Sequence, residues 1–401
     1  MTVNNNLILS DSGNLLIGLK NRLVETCELP QAGITQIGEF AFKNCVNLKK
    51  VILPNTVSGI GKGAFENCTS IEEISIPKEI SYIEEFAFQG CTSLKTVRYL
   101  GSLENWLQIG FWGMCSNPCS AGPILYIDNE PLTKALIPRS CTIVPTRAFD
   151  AYAHLEEVIL HEGVQEIGAG AFYGCGKLRE IRLPKSLKKI RLDAFGEAEI
   201  ERVYFDGSLE DWCNVDIENY EASPMNWGSQ FYVQEKLIET LALPSALKVV
   251  NRYLFAGCMS IKQIRFPEKL ETIKDGAFSN CPGLKKVTLP ESLETIGEQA
   301  FGDCINLSGI RIPDSVQEIC KEAFSGCEKL KRLYIPSSVQ TMGALIAIYS
   351  HEELHFFLEE SEKKSWNDVW SAKSAANQTF QVERNTPRWW YDEFIEKNKK
   401  R

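Results

Sequence analysis

His351-Glu352-Glu353-Leu354-His355 spells H-E-x-x-H, the spacing at which two histidines hold zinc while the glutamate activates a water. The chemistry would be metal-assisted peptide hydrolysis. It makes two demands on the fold. Both histidines must lie on one continuous helix, so that positions i and i+4 share a face. A third ligand must converge on them, and because no histidine follows His355, Glu360 or Glu383 on a second helix would have to supply it.

Other reactive side chains are sparse. His154 and His161 are the remaining histidines. His154 falls in a loop just past Tyr152, and His161 follows the strand Val158-Ile159-Leu160. No G-x-S-x-G, phosphate-cradling glycine loop or dinucleotide fingerprint occurs, and carboxylates are spread along the loops. The residues therefore assign no catalytic site, no metal site and no cofactor. Fourteen cysteines include no C-x-x-C; Cys115 and Cys119 make a C-x-x-x-C without a second pair. Free thiols fit a reducing compartment.

Whether the HEELH segment is helical depends on the elements around it. The 401-residue chain has 44% hydrophobic and 24% charged residues and a net charge of −9. That balance argues against a nucleic-acid partner, whose phosphates attract a basic face. No apolar run approaches the roughly 20 residues that cross a bilayer, so no membrane insertion is expected.

A repeat sets the architecture. Ala-Phe followed three residues later by Cys recurs with a 23-residue period, at Phe42, Phe65 and Phe88, at Phe149, Phe172 and Phe195, and at Phe255, Phe278, Phe301 and Phe324. Within Leu48 to Cys68, Val51 and Leu53 alternate with exposed positions, as in a half-buried strand. Pro54 ends that strand because it cannot donate to a ladder, and Val57, Ile60 and Phe65 turn back inward. One such unit cannot bury its own apolar face, so units must stack. The fold class is a leucine-rich-repeat solenoid, mostly β, with few short helices and about 12 coils. Cys45, Cys68, Cys91, Cys175, Cys258, Cys281, Cys304 and Cys327 share one slot and read as small buried side chains filling a tight corner.

Two coils are enlarged, at about 99–138 and 204–244. They match each other: Ser-Leu-Glu-Asn/Asp-Trp begins both, Trp106 corresponds to Trp212, Pro118 to Pro224 and Tyr126 to Tyr232. Each start reads as a short serine-capped helix whose tryptophan packs back on the coil. Residues 1–33 are expected to cap the solenoid, with Leu15, Leu16 and Ile17 in one strand. Residues 34–358 form the solenoid itself. Residues 359–401, with Trp366, Trp370, Trp389 and Trp390, would cover the other end.

The pattern I-P-x-x-V-x-x-I-G-x-x-A-F-x-x-C-x-x-L, clear in Ile261 to Cys281 and Leu284 to Cys304, resembles the BspA-like leucine-rich repeats of bacterial surface antigens. The resemblance covers roughly residues 30 to 360 and includes the tryptophan-bearing insertion. It implies a solenoid fold and a non-catalytic role in binding host matrix proteins or other cells, with adhesion as one form. The surface members of that family carry export signals, whereas residues 1–16 lack a basic n-region and a cleavage site. As written the chain reads as cytoplasmic; a trimmed or mature surface chain would read the same way.

In such a solenoid the strands line a concave face, and the residues flanking the buried pair point outward. Arg98, Arg182, Tyr204, Arg265, Arg311 and Tyr334 are expected there in nearly one column. Arginine and tyrosine combine contact area with directional hydrogen bonds, so this column is the expected binding face for an unidentified protein or glycan. The competing readings are a zinc metallopeptidase using His351, Glu352 and His355, and a structural spacer with no specific ligand. In the coil register His351 takes the cysteine slot, Ala347-Ile348 the Ala-Phe slot and His355 opens a strand. Residues 343–357 are then not helical.

Overall fold

A regular coil contains two short strands, most often separated by a proline turn. In the coil that begins at Leu48, the strand Lys50–Ile52 places Val51 inward at 0% exposure with Lys50 outward. The strand Gly59–Ile60 follows the turn at Pro54, where the Val57 N–H donates to the Pro54 carbonyl. Such short strands gain stability only by pairing with the same strand of the next coil. The computed structural model describes residues 6–347, 349–350, 354–359 and 381–384. It is a mostly-β solenoid of parallel strands, divided into two compact units, Met1–Ser186 with Arg191–Glu199 and Leu187–Ile190 with Ile200–Arg401.

In the first unit the first strands of successive coils, Thr26–Glu28, Lys50–Ile52, Glu73–Ile76, Thr96–Tyr99 and Ile124–Ile127, pair in parallel. The second strands Gln36–Ile37, Gly59–Ile60, Tyr82–Glu84 and Gly110–Trp112 make a sheet of their own. That sheet starts with an antiparallel pair, Leu7–Leu9 against Leu15–Leu19. Lys134–Leu136, Glu157–Ile159 and Glu180–Leu183 continue the first strands in a separate sheet. In the second unit Val249–Val250, Thr272–Ile273, Thr295–Ile296, Glu318–Ile319 and Thr341–Met342 form a five-stranded parallel sheet.

The phenylalanines stack coil on coil. Ring centroids of Phe255, Phe278, Phe301 and Phe324 are 5.5, 5.4 and 5.9 Å apart with nearly parallel planes. Phe42, Phe65 and Phe88 do the same in the first unit at 4.9 and 5.4 Å. Two left-handed residues bracket each phenylalanine, for example Gly276 (φ 57°) and Asn280 (φ 52°) around Phe278. The later member is often Asn or Gly, the types that tolerate this conformation. The earlier is frequently neither, as at Phe40, Phe86 and Tyr253. The strain is offset by the coil-to-coil ladder it permits, in which the Phe278 N–H donates to the Ala300 carbonyl at 2.9 Å.

The slot cysteines behave as expected for a tight corner. Cys68, Cys175, Cys281, Cys304 and Cys327 are 0% exposed, and all fourteen cysteines are free thiols. Each of these five donates its S–H to the phenylalanine carbonyl of the coil before, Cys304 to Phe278 at 3.2 Å. The enlarged coils begin with the helices Leu103–Trp106 and Leu209–Cys213, each closed by a serine capping box. Trp106 and Trp212 are fully buried, and their indole N–H groups donate to the carbonyls of Ala148 and Leu254 at 2.9 and 3.1 Å.

The last coil corrects one expected register. The Ser350 hydroxyl, not His351, occupies the cysteine slot and donates to the Phe324 carbonyl at 3.0 Å. Ile346 stands at the alanine position, because the Phe324 N–H donates to its carbonyl. Ala347 then takes the phenylalanine position, and Tyr349 (φ 57°) keeps the left-handed residue that follows it. The coil's one added residue falls between Ser350 and Leu354. His355 opens the strand His355–Leu358, paired in parallel with Arg332–Ile335. No helix occurs among the described residues of 343–357. His351, Glu352 and the four tryptophans expected to cap the C-terminal end lie outside the described residues.

Candidate binding face

The outward positions of the first strands are set by the alternation of the β-strand. In Thr96–Tyr99, Val97 and Tyr99 are buried, which turns Arg98 out. The parallel register places Arg98 beside Ser75 on one side and Tyr126 on the other. Its guanidinium lies over the Tyr126 ring, 4.9 Å from the centroid, with Glu73 3.8 Å away. This is a cation–π contact with an ion pair at its edge. Arg182, also in the first unit, is exposed at the same strand position opposite Ile159. It belongs to the sheet that starts at Lys134, not to that of Arg98.

The reason is a hairpin that the repeat pattern does not contain. Ile124–Ile127 turns through Asp128 (φ 53°) and Asn129 (φ 65°) into the antiparallel strand Glu130–Pro131. Two successive left-handed residues are the signature of a two-residue hairpin turn. The second enlarged coil repeats it: Gln234 and Glu235 have φ of 48° and 65° between Gln230–Val233 and Lys236–Leu237. Asp-Asn in the first copy is a readable turn signal; Gln-Glu in the second is not.

In the second unit Tyr204 lies opposite Tyr232, and their rings stack at 4.7 Å and 23°. The Tyr232 hydroxyl donates to the Gln230 side chain at 2.8 Å. Arg265 is exposed opposite Ala242. Arg311 is half-buried opposite Thr288 and pairs with Glu291 at 3.1 Å. Tyr334 departs from the expectation. It is 1% exposed, because the strand His355–Leu358 sets Phe357 beside it, and the two form a small apolar cluster. Tyr126 and Tyr232 were the residues missed; their correspondence between the two enlarged coils was the available signal.

Carboxylates stand among the cations of this face. Lys50 pairs with Glu73 and Lys134 with Glu157, each at 2.9 Å across neighbouring coils. Such exposed pairs contribute little stability, but they leave the face mixed in charge.

Elsewhere the reactive groups are held in structural roles. Both ring nitrogens of His161 face backbone carbonyls, with Nε2 2.9 Å from that of Pro138. Burial pushes the Cys91 and Cys304 thiols up to about 12, so neither is a nucleophile near neutrality. Burial also raises the Asp150 carboxyl, against the lowering effect of Arg147 2.6 Å away. Among the described residues no group of three or more His, Cys, Asp or Glu side chains is arranged to hold a metal ion. No described helix is long and apolar enough to cross a membrane.

Comparisons with known proteins bear on the fold. The solved structure of a leucine rich cell surface protein from Faecalibacterium prausnitzii shares 19% identity over 96% of this chain and 94% of that one, with a TM-score of 0.51. The pneumococcal vaccine antigen PcpA shares 16% over 97% and 96%, with a TM-score of 0.52. A leucine-rich repeat protein from Bacteroides ovatus shares 24% over 88% and 97%, with a TM-score of 0.44. The first two likenesses are of fold. No curated protein matches the chain. The model of the BspA type leucine rich repeat region matches residues 19–116, 126–218 and 227–351, which is most of the sequence, and the chain belongs to that family.

Proposed function

We propose that this protein is a non-catalytic scaffold that binds a protein or a glycan through the outward residues of its first strands. The observation that carries the reading is the pair of ring stacks at corresponding places in the two enlarged coils, Arg98 over Tyr126 and Tyr204 over Tyr232. Each holds a flat side chain in place before any partner arrives, which lowers the entropy lost on binding. Arg182 and Arg265 add exposed guanidinium groups suited to carboxylates or hydroxyl-rich ligands. The mixed charge of the face favours a partner that offers both acidic groups and hydrogen-bond donors.

A photo-reactive amino acid at position 265, on a first strand, tests the reading against one at position 272, on a second strand. The scaffold predicts a specific adduct from position 265 and none from 272. Equal adducts from both positions, or none from 265, would support the spacer instead.

A further inference from the structure

The second-strand sheet of the first unit carries an aromatic pair that neither the repeat nor the proposed binding face requires. Tyr82 lies opposite Gly110 and Glu84 opposite Trp112, while Gly59 lies on the other side of Tyr82. Tyr82, Glu84 and Trp112 therefore share one face of the sheet. The Trp112 indole leans diagonally across Gly110 onto the Tyr82 ring, with centroids 4.9 Å apart and planes 11° from parallel. Both glycines are required for that posture. A Cβ at position 59 would stand 2.2 Å from Tyr82 Cζ, and one at 110 would stand 2.7 Å from Trp112 Nε1. At the same strand position other coils of this unit carry Gln36, Ile143 and Glu166.

The stack is held in place yet open. Trp112 is 56% exposed and belongs to the last strand of its sheet, so one indole face meets Tyr82 and the other meets water. Glu84 stands beside it. One carboxylate oxygen accepts from the Lys62 N–H at 2.8 Å, and the other has no hydrogen-bond donor among the described residues. An indole face held open to water, with an oriented acceptor at its rim, offers a ligand ring both a stacking surface and a hydrogen bond.

We propose that Trp112, Tyr82 and Glu84 form a platform for a gluco-configured pyranose ring of a β-linked glycan. Such a ring presents axial C–H groups on a flat apolar face and equatorial hydroxyls around its edge. The face covers the indole, and one hydroxyl donates to the open oxygen of Glu84. A quaternary or methylated ammonium fits less well, since it is gripped by aromatic faces from several sides and these rings offer one. A proline-rich peptide needs a groove between aromatic ridges, which a single stack does not make. The platform lies on a different sheet from the proposed binding face on the first strands, so either can fail without the other.

Calorimetric titration of the full chain with cellohexaose and with chitohexaose tests the proposal, with a trimethyllysine peptide as the competing ligand. At least one oligosaccharide should bind. Trp112→Ala should weaken it about tenfold or more, the loss of one aromatic contact. Glu84→Gln, which keeps the stack, should weaken it by a smaller factor, and Trp227→Ala, an exposed tryptophan elsewhere, should not. Failure of both oligosaccharides to bind, equal binding by Trp112→Ala, or preferential binding of the trimethyllysine peptide would each overturn it.

Discussion

The Ser350 hydroxyl donates to the Phe324 carbonyl at 3.0 Å, the bond that Cys327 makes to Phe301 at 3.2 Å one coil earlier. In these two coils the corner is filled by a small side chain that donates one hydrogen bond. Sulfur chemistry is not what the slot uses.

That interchange predicts how the buried cysteines respond to substitution. Cys304→Ser should cost about 1 kcal/mol or less, because the donor is kept. Cys304→Leu should cost about 1–3 kcal/mol, since the 0% exposed site has no room for the added volume. Urea midpoints of the two variants check it, and equal losses would contradict it.

The same burial sets a pH dependence. The Cys91 and Cys304 thiols have an ordinary value of 9.0 and are pushed up to about 12 in the fold. Between pH 9.0 and about 12 the unfolded chain has lost these protons while the folded chain keeps them. Stability therefore falls as pH rises through that window, and these thiols add no slope below it. Replacing both with serine should flatten the fall in urea midpoint above pH 9.0. Superimposable pH profiles would show that the thiols contribute nothing.

The left-handed positions beside the phenylalanine stack give a prediction of opposite sign at two sites. Glu197 is exposed at φ 55°, so Glu197→Gly should stabilise the fold by about 1 kcal/mol. Gly174 has φ 67°, and a Cβ there would stand 3.1 Å from Ala151 Cα, so Gly174→Ala should destabilise by about 1–2 kcal/mol. Thermal melts of both variants decide it.

What could be read from the residues follows the reach of the repeat. The spacing of Ala-Phe-x-x-Cys determines the coil, because stacked identical units have one way to bury Phe278 against Phe255 and Phe301. The serine caps and buried tryptophans of the enlarged coils follow from local chemistry that spacing displays. Where the period breaks, spacing stops deciding. One extra residue could sit before or after the cysteine slot, and the Ser350 bond, with that from Phe324 to Ile346, shows that it comes after. The hairpins at Asp128 and Gln234 split the expected column, since an antiparallel strand ends a sheet that the repeat alone would extend. Tyr334 has the same strand position as Arg98, and its burial depends on Phe357 in a strand outside the regular period. The H-E-x-x-H spelling falls at that same break, and His355 opens a strand rather than lying on a helix, the element whose turn brings positions i and i+4 within reach of one ion.

The most direct test of the scaffold is binding of a captured partner to the protein with Arg182, Arg265 and Arg311 replaced together by serine. All three lie on first strands and none packs in the core. The account predicts that affinity for the partner falls at least about tenfold while the melting temperature stays within about 2 °C of the parent. Undiminished affinity in a variant that melts with the parent would contradict it.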